Sequence, residues 1–231
     1  MTIKDRAEKI INLKQFANNN APEKISFQPD IKCPYSEQKV LRCVIKVQFG
    51  EYIIPENLKW VKPLLEEAIR YQEKEIGIKH SFCYITVRHG IVDTKTDDEW
   101  HVDGFSQTIT HIPEQNYIWT DKEPTEYVDI PFYFPEDFDS SKHNIHYFFQ
   151  DNINKDTQIK KMEAKTLYCC DPYVVHRRPK DTFGEKRTFI RISFCPIEII
   201  DSNNTINPEL IRETNRDGVK DFRDNLIRYK K

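Results

Sequence analysis

His101-Val102-Asp103 and, 73 residues after Asp103, His176 supply two imidazoles and one carboxylate. That is the ligand set of the facial triad that holds non-haem Fe(II) and leaves its remaining positions open. In an extended segment residues i and i+2 point the same way. His101 and Asp103 can therefore chelate one ion while Val102 turns away, and Gly104 lets the chain bend off afterwards. His176 ends the apolar run Tyr173-Val174-Val175 and must arrive from a distant strand. Beyond it, strand alternation puts Arg187, Phe189, Arg191, Ser193 and Cys195 on one face of the segment up to Cys195. Two arginines on one strand face are expensive to bury without anions. An arginine close to the second histidine is also what a dicarboxylate co-substrate needs for a bidentate grip. The plainer reading of the same residues is an exposed amphipathic edge strand.

The elements that must position these residues are mainly short and β-like. From His80 to Cys195 the strand-type segments are Ser81–His89, Gln107–Thr110, Tyr117–Thr120, Ile145–Phe149, Thr166–Cys170, Val174–His176 and Thr188–Cys195, separated by turn-rich or charged stretches. Many short strands at modest spacing indicate a sandwich or barrel, and a double-stranded β-helix (jelly-roll, cupin-like) core with flanking helices is the natural candidate. Residues 1–79 read as N-terminal support: a helical pattern over 2–17, a strand over 40–49, and a helix opening at Pro55 and stopped by Gly77. Residues 80–196 form the catalytic core and 201–231 a helical extension, all within one domain. His89, His111, His143 and His146 are read as structural or surface residues.

The stretch from His176 to Arg191 resembles the C-terminal motif of the 2-oxoglutarate/Fe(II)-dependent dioxygenases, in particular the taurine dioxygenase and phytanoyl-CoA hydroxylase branches. In those branches an arginine eleven positions after the distal histidine grips the far carboxylate of 2-oxoglutarate, and Arg187 occupies that place. Arg191-Ile192-Ser193 is also similar to the Arg-x-Ser pair of the penicillin-synthase-like branch, so either arginine could be the anchor; Arg187 is favoured, with Arg191 as a second anchor or a substrate contact. Tyr117, sixteen residues after His101, matches where prolyl hydroxylases keep a tyrosine on the same carboxylate; a core tyrosine is the rival reading. The resemblance covers about residues 80–196. It implies metal ligands His101, Asp103 and His176, co-substrates 2-oxoglutarate and O2, and hydroxylation of a small molecule or peptide side chain with release of succinate and CO2. Two alternatives remain: a cupin-type metal protein, isomerase or sensor, and an interaction or structural β-sandwich in which the triad is coincidence.

Composition bounds the substrate more than the chemistry. A net charge of −2 and a pI near 6.4 leave no global basic field to attract phosphate backbones. No arginine lies between Arg191 and Arg212, where the nucleic-acid repair branch keeps its pair. Both points argue against a nucleic-acid substrate. Segment 121–139 carries Asp121, Glu123, Glu126, Asp129, Glu136, Asp137 and Asp139 against the single Lys122, and as a lid it would favour a cationic substrate. The N-terminus lacks an apolar signal block and no run approaches a membrane span, so the expected location is cytoplasmic, with six free thiols.

Overall fold

The computed structural model describes residues 2–48, 50–92, 98–107, 112–201 and 203–210. Among these residues nine strands assemble into two antiparallel sheets. They are β1 (Glu23–Ile25), β2 (Lys39–Lys46), β3 (Phe82–Ile91), β4 (Gln115–Thr120), β5 (Glu126–Val128), β6 (Ile159–Lys161), β7 (Leu167–Cys170), β8 (His176–Arg177) and β9 (Lys186–Cys195). The larger sheet has the order β1-β7-β4-β9-β3-β2 and the smaller one β6-β5-β8. The fold is thus mostly β with few helices.

The large sheet takes β1 and β2 from before residue 79, so the N-terminal third builds the sheet as well as supporting it. Its central strands β3 and β9 pair over ten residues, from Phe82 opposite Cys195 to Ile91 opposite Lys186. Alternation along β9 then divides the molecule. Ile190, Ile192 and Phe194 face a core shared with Ile85, Val87, Tyr117 and Trp119. That core is closed by the apolar side of α2 (Lys62–Tyr71), through Leu64, Leu65 and Ala68, and by Ile3 and Ala7 of α1 (Ile3–Ala7). Arg187, Phe189 and Arg191 face the other way. On that side Phe189, Ile118 and Tyr168 of the large sheet pack with Tyr127 of β5, with Met162 and with Val174, which joins the two sheets.

α1 and α2 are shorter than the sequence pattern suggests. The 2–17 pattern divides into α1, capped by Thr2, and a 3-10 turn over Leu13–Ala17. The 55–76 helix begins as a 3-10 turn at Glu56 and ends as a π turn at Ile76, stopped by Gly77 at φ 83°. Ile145–Phe149, expected as a strand, is the start of helix α3 (Ile145–Asn152). Asn144 caps it by accepting from the His146 amide at 2.9 Å, and Ile145, Phe148 and Phe149 face the second core beside Phe16, Trp100 and Tyr173. The i, i+3, i+4 spacing of those three outweighs the aromatic strand propensity of the run. Gln107 sits in a turn, while residues 108–110 of the strand expected there, His111, and 211–231 of the C-terminal extension lie outside the described residues. All six cysteines are free thiols. No helix of the described residues is long and apolar enough to cross a membrane.

Candidate metal centre and anion pocket

The segment around His101 is extended without belonging to either sheet. His101 forms an isolated antiparallel bridge with His176, each amide donating to the other's carbonyl at 2.9 Å. His176 therefore reaches the site as an immediate backbone neighbour of His101 rather than from across the fold. Residues exchanging both backbone hydrogen bonds carry their side chains on one face, and the two imidazole centroids lie 4.6 Å apart. Asp103 completes the group: one ligand atom from each of His101, Asp103 and His176 lies within 4.8 Å of the others. Helix α3 braces this segment, since Gln150 Nε2 donates to the Trp100 carbonyl at 2.8 Å and His146 Nε2 lies 3.2 Å from the Val102 carbonyl. Gly104 adopts φ 74°, which favours glycine at the bend after Asp103, and a Cβ there would also have to push the Glu114 side chain aside.

Both imidazoles are held in the tautomer a metal needs. His101 Nδ1 is 2.7 Å from the Glu99 carbonyl and His176 Nδ1 is 2.8 Å from the Val174 carbonyl. A carbonyl only accepts, so each Nδ1 carries the proton and each Nε2 presents its lone pair. Burial, reinforced by the neighbouring His176, pushes His101 down to about 3, which leaves it neutral at ordinary pH. Burial works against ionisation of Asp103, but Arg191, followed by the two imidazoles, holds it well below the usual carboxylate range. The centre is thus two imidazole nitrogens and one carboxylate, the donor set suited to a divalent first-row metal.

The two β9 arginines each bury an unpartnered Nε, and they differ in what answers their charge. Arg191 Nη1 donates to Asp103 Oδ2 in a short ion pair, so its charge is answered by the triad carboxylate. Arg187 is 6% exposed, and neither its Nε nor its Nη2 has a hydrogen-bond partner. Burial, and then the charge of Arg178, weakens its protonated form to about 10. Its guanidinium carbon lies 5.5 Å from the centroid of Phe189. Arg187, Arg191 and the triad all line one cavity of about 450 Å3, a size in the range of small-molecule sites, roughly 300–1,000 Å3.

Two expected site residues lie elsewhere. Tyr117 pairs in register with Ile192, on the core side of β9, and its hydroxyl donates to Gln72 Oε1 at 2.8 Å. A one-residue difference in parity puts it on the wrong face of the sheet. Ser193 has the right parity, but its hydroxyl donates to Asn116 Oδ1 at 2.6 Å, and it does not line the cavity. The acidic stretch 121–139 contributes only Thr125 to the wall. Glu126 pairs with Arg177 and Lys161, Asp129 with Lys160, and Asp139 with Lys142. Three of its seven carboxylates are thus in local ion pairs, and Asp121 accepts from the Thr188 amide at 2.8 Å.

The sequence reading overlooked several wall residues. His146 and His89 both line the cavity, as do Arg42, Arg88, Arg177 and Arg178. Arg88 gave no signal in the sequence, since its cavity-facing side follows from register: on β3 it shares parity with Thr86, which lies opposite Arg191. Arg178 did have one, lying two residues beyond His176.

No protein-family model matches the sequence, and no curated protein matches it. Among solved structures the chain is similar to AviO1 from Streptomyces viridochromogenes Tue57, at a TM-score of 0.41 and 11% identity over 85% of this chain and 97% of that one. It is also similar to EvdMO1, at 0.39 and 11% over 80% of this chain and 49% of that one. A likeness at that level leaves function to be argued from the site.

Proposed function

We propose that the chain is an Fe(II)- and 2-oxoglutarate-dependent oxygenase with a double-stranded β-helix core, hydroxylating a small molecule. The observation that carries the reading is Arg187: a buried guanidinium with two orphaned donor nitrogens, in the same cavity as a His/Asp/His set. An unpaired buried charge is costly, and a carboxylate seated against it recovers that cost through charge-assisted hydrogen bonds.

The residues present fit the absent groups. His101 Nε2, His176 Nε2 and Asp103 would hold the metal, and Arg187 the 5-carboxylate of 2-oxoglutarate. When bound, Fe(II) and the keto acid supply the oxidising chemistry from O2, with release of succinate and CO2. The protein contributes orientation. The Glu99 and Val174 carbonyls fix both imidazoles, Arg191 holds Asp103, and α3 holds the segment that carries His101 and Asp103. Phe189 supplies an apolar wall next to Arg187, and excluding water there strengthens the guanidinium's grip on an anion. A metal-binding isomerase or sensor of the cupin type would use the triad but would leave Arg187 without a task.

The test is anaerobic addition of Fe(II) and then 2-oxoglutarate, monitored for the weak visible charge-transfer band of the chelate. The band is expected with one metal per chain, and is expected to vanish in His176→Ala. Stoichiometric metal binding without a band or any keto-acid affinity would favour the cupin-type reading. Absence of metal binding would end both.

A further inference from the structure

Neither α1, five residues long, nor the 3-10 turn over Leu13–Ala17 holds its shape by itself, since an isolated helix shorter than about 12 residues is marginal in water. Their order comes from what they dock against, and that includes both segments that carry the metal ligands. α1 binds the turn that leads into His176. Arg6 Nε donates to Asp171 Oδ2 at 2.6 Å, with both side chains buried. The other oxygen of that carboxylate accepts from the Tyr173 amide at 3.1 Å, and the Asp171 carbonyl accepts from the Val174 amide at 3.1 Å. Asp171 thus holds the turn with one oxygen and the N-terminal helix with the other. Val174 is the residue whose carbonyl accepts from His176 Nδ1 at 2.8 Å. A short run of hydrogen bonds therefore leads from Arg6 to the imidazole that would face the metal.

The rest of the N-terminal segment reaches the same turn and the loop after Asp103. The Asn12 amide donates to the Tyr173 hydroxyl at 3.2 Å. Phe16, fully buried, places its ring 5.0 Å from Tyr173 and 5.2 Å from Phe105. Tyr173 stands three residues before His176, and Phe105 two after Asp103. The Phe16 ring also lies 5.4 Å from Phe149 of α3, the helix that braces the His101 segment. One aromatic side chain thereby touches every element that carries or steadies a ligand. Close-packed contacts pass displacements on instead of absorbing them. If residues 3–17 undock, Tyr173 and Phe105 lose the surface that fixes them, and Asp171 is left buried without its cation.

We infer that residues 3–17 are a positioning strap for the metal centre, with Arg6 acting through Asp171 and Phe16 through Tyr173 and Phe105, so that docking of the strap and loading of the metal favour each other. The inference rests on the metal-centre reading of the triad and adds to it a part of the chain that supplies no ligand. Linkage ties the two effects together: the factor by which undocking weakens metal affinity is the factor by which bound metal protects the docked strap. Couplings between sites typically amount to about 5- to 150-fold.

Hydrogen exchange of the full chain, read on peptides covering residues 2–17 with and without saturating Zn(II), measures the coupling in wild type. Metal is expected to slow exchange there by about tenfold, and to have no effect on it in His176→Ala. Zn(II) affinity, from competition with a chromophoric chelator, is expected to fall by about tenfold in Arg6→Met and to lie nearer wild type in Arg6→Lys, which keeps the cation. A purely structural clamp would lower the stability of Arg6→Met and leave the metal affinity of the folded chain untouched. If Arg6→Met does not fold, Phe16→Leu takes its place, and if neither folds the wild-type exchange decides. The inference is overturned if Zn(II) leaves exchange of residues 2–17 unchanged, or if the folded variant binds Zn(II) as tightly as wild type. If wild type binds no Zn(II), the metal-centre reading falls and takes the inference with it; if wild type binds and either of those results is found, the inference alone falls.

Discussion

Arg187→Met should make the ligand-free protein more stable while destroying its affinity for the keto acid. Methionine keeps much of the side-chain volume and its contact with Phe189 but removes a buried charge whose Nε and Nη2 have no partner. The size of the first effect follows from the guanidinium's acidity. Burial and Arg178 bring it from 12.5 down to about 10, and 1.36 kcal/mol per unit makes the folded state carry a penalty of about 3 kcal/mol for holding that charge. Arginine is still protonated in both folded and unfolded chains at neutral pH, so the whole penalty is present there and is relieved only as pH rises through about 10. Imperfect packing of methionine offsets part of it, which leaves an expected gain of about 1–3 kcal/mol. The second effect has the opposite sign: losing the partner of a bound carboxylate costs about 2–5 kcal/mol, or roughly 30-fold to several thousand-fold in affinity. Urea unfolding with and without 2-oxoglutarate, on the Zn(II)-loaded chain, reads both. Ligand at a hundred times its wild-type Kd should stabilise wild type by about 2.7 kcal/mol and the variant by less than about 1 kcal/mol. A variant that is less stable without ligand and binds the keto acid normally would refute the reasoning, because Arg187 would then be a structural cation.

Three further outcomes follow from the same structure. Arg191→Met removes the cation that holds Asp103, so the metal-free chain should lose about 2–3 kcal/mol, below the range for fully buried pairs because both side chains are partly exposed; metal should then stabilise the variant more than it stabilises wild type, as read by melting with and without Zn(II). His80, buried against Gln115 Oε1 at 2.8 Å, is pushed down by burial from 6.5 to about 4; the unfolded chain takes up that proton first, so stability is full above about 6.5 and falls by up to about 3 kcal/mol as pH drops towards 4, and His80→Gln should flatten this limb of the pH profile. Arg6→Met leaves Asp171 buried without its 2.6 Å partner and should cost about 3–5 kcal/mol in urea unfolding, with part of the loss recovered by adding Asp171→Asn.

Side-chain parity could be read from the sequence; register could not. The alternation of β9 alone put Arg187, Phe189 and Arg191 on one face, and the structure keeps them there. His101 and Asp103 shared a side because an i, i+2 pair in extended chain has no other choice. Tyr117 failed because its position relative to His101 says nothing about which β9 residue it meets. Pairing with Ile192 instead of a neighbour turns it into the core. Ile145–Phe149 failed for a different reason. Its aromatic content suits a strand, and only the second core, built from Phe16, Trp100 and Tyr173, selects the helical periodicity. How the acidic run at 121–139 is partly neutralised was not legible either, because the partners of Glu126 and Asp129, namely Lys160, Lys161 and Arg177, come from strands β6 and β8 and their approach is a tertiary fact.

The same limit explains why the anion pocket was only half visible. A cation's role depends on which carboxylates the fold brings to it, and strand alternation alone gives the two β9 arginines the same face. The loop that carries Asp103 reaches Arg191 and stops there, because Gly104 turns the chain away under Glu114. Arg187, four residues further back on the same face, is beyond that loop's reach and lies opposite a glycine. One guanidinium is thereby made part of the metal centre, and the other keeps open donors for an anion from solution. Gly104 is the residue that enforces this division. A substituted residue there strains at φ 74° and must push the Glu114 side chain aside, and backbone relaxation of that strain would shift the neighbouring Asp103. Gly104→Ala should therefore weaken metal binding and the Arg191 pair together, while Arg187, anchored only through its own strand, keeps its affinity for a carboxylate probe such as glutarate. Retained metal affinity alongside lost glutarate binding would reverse the assignment of the two arginines.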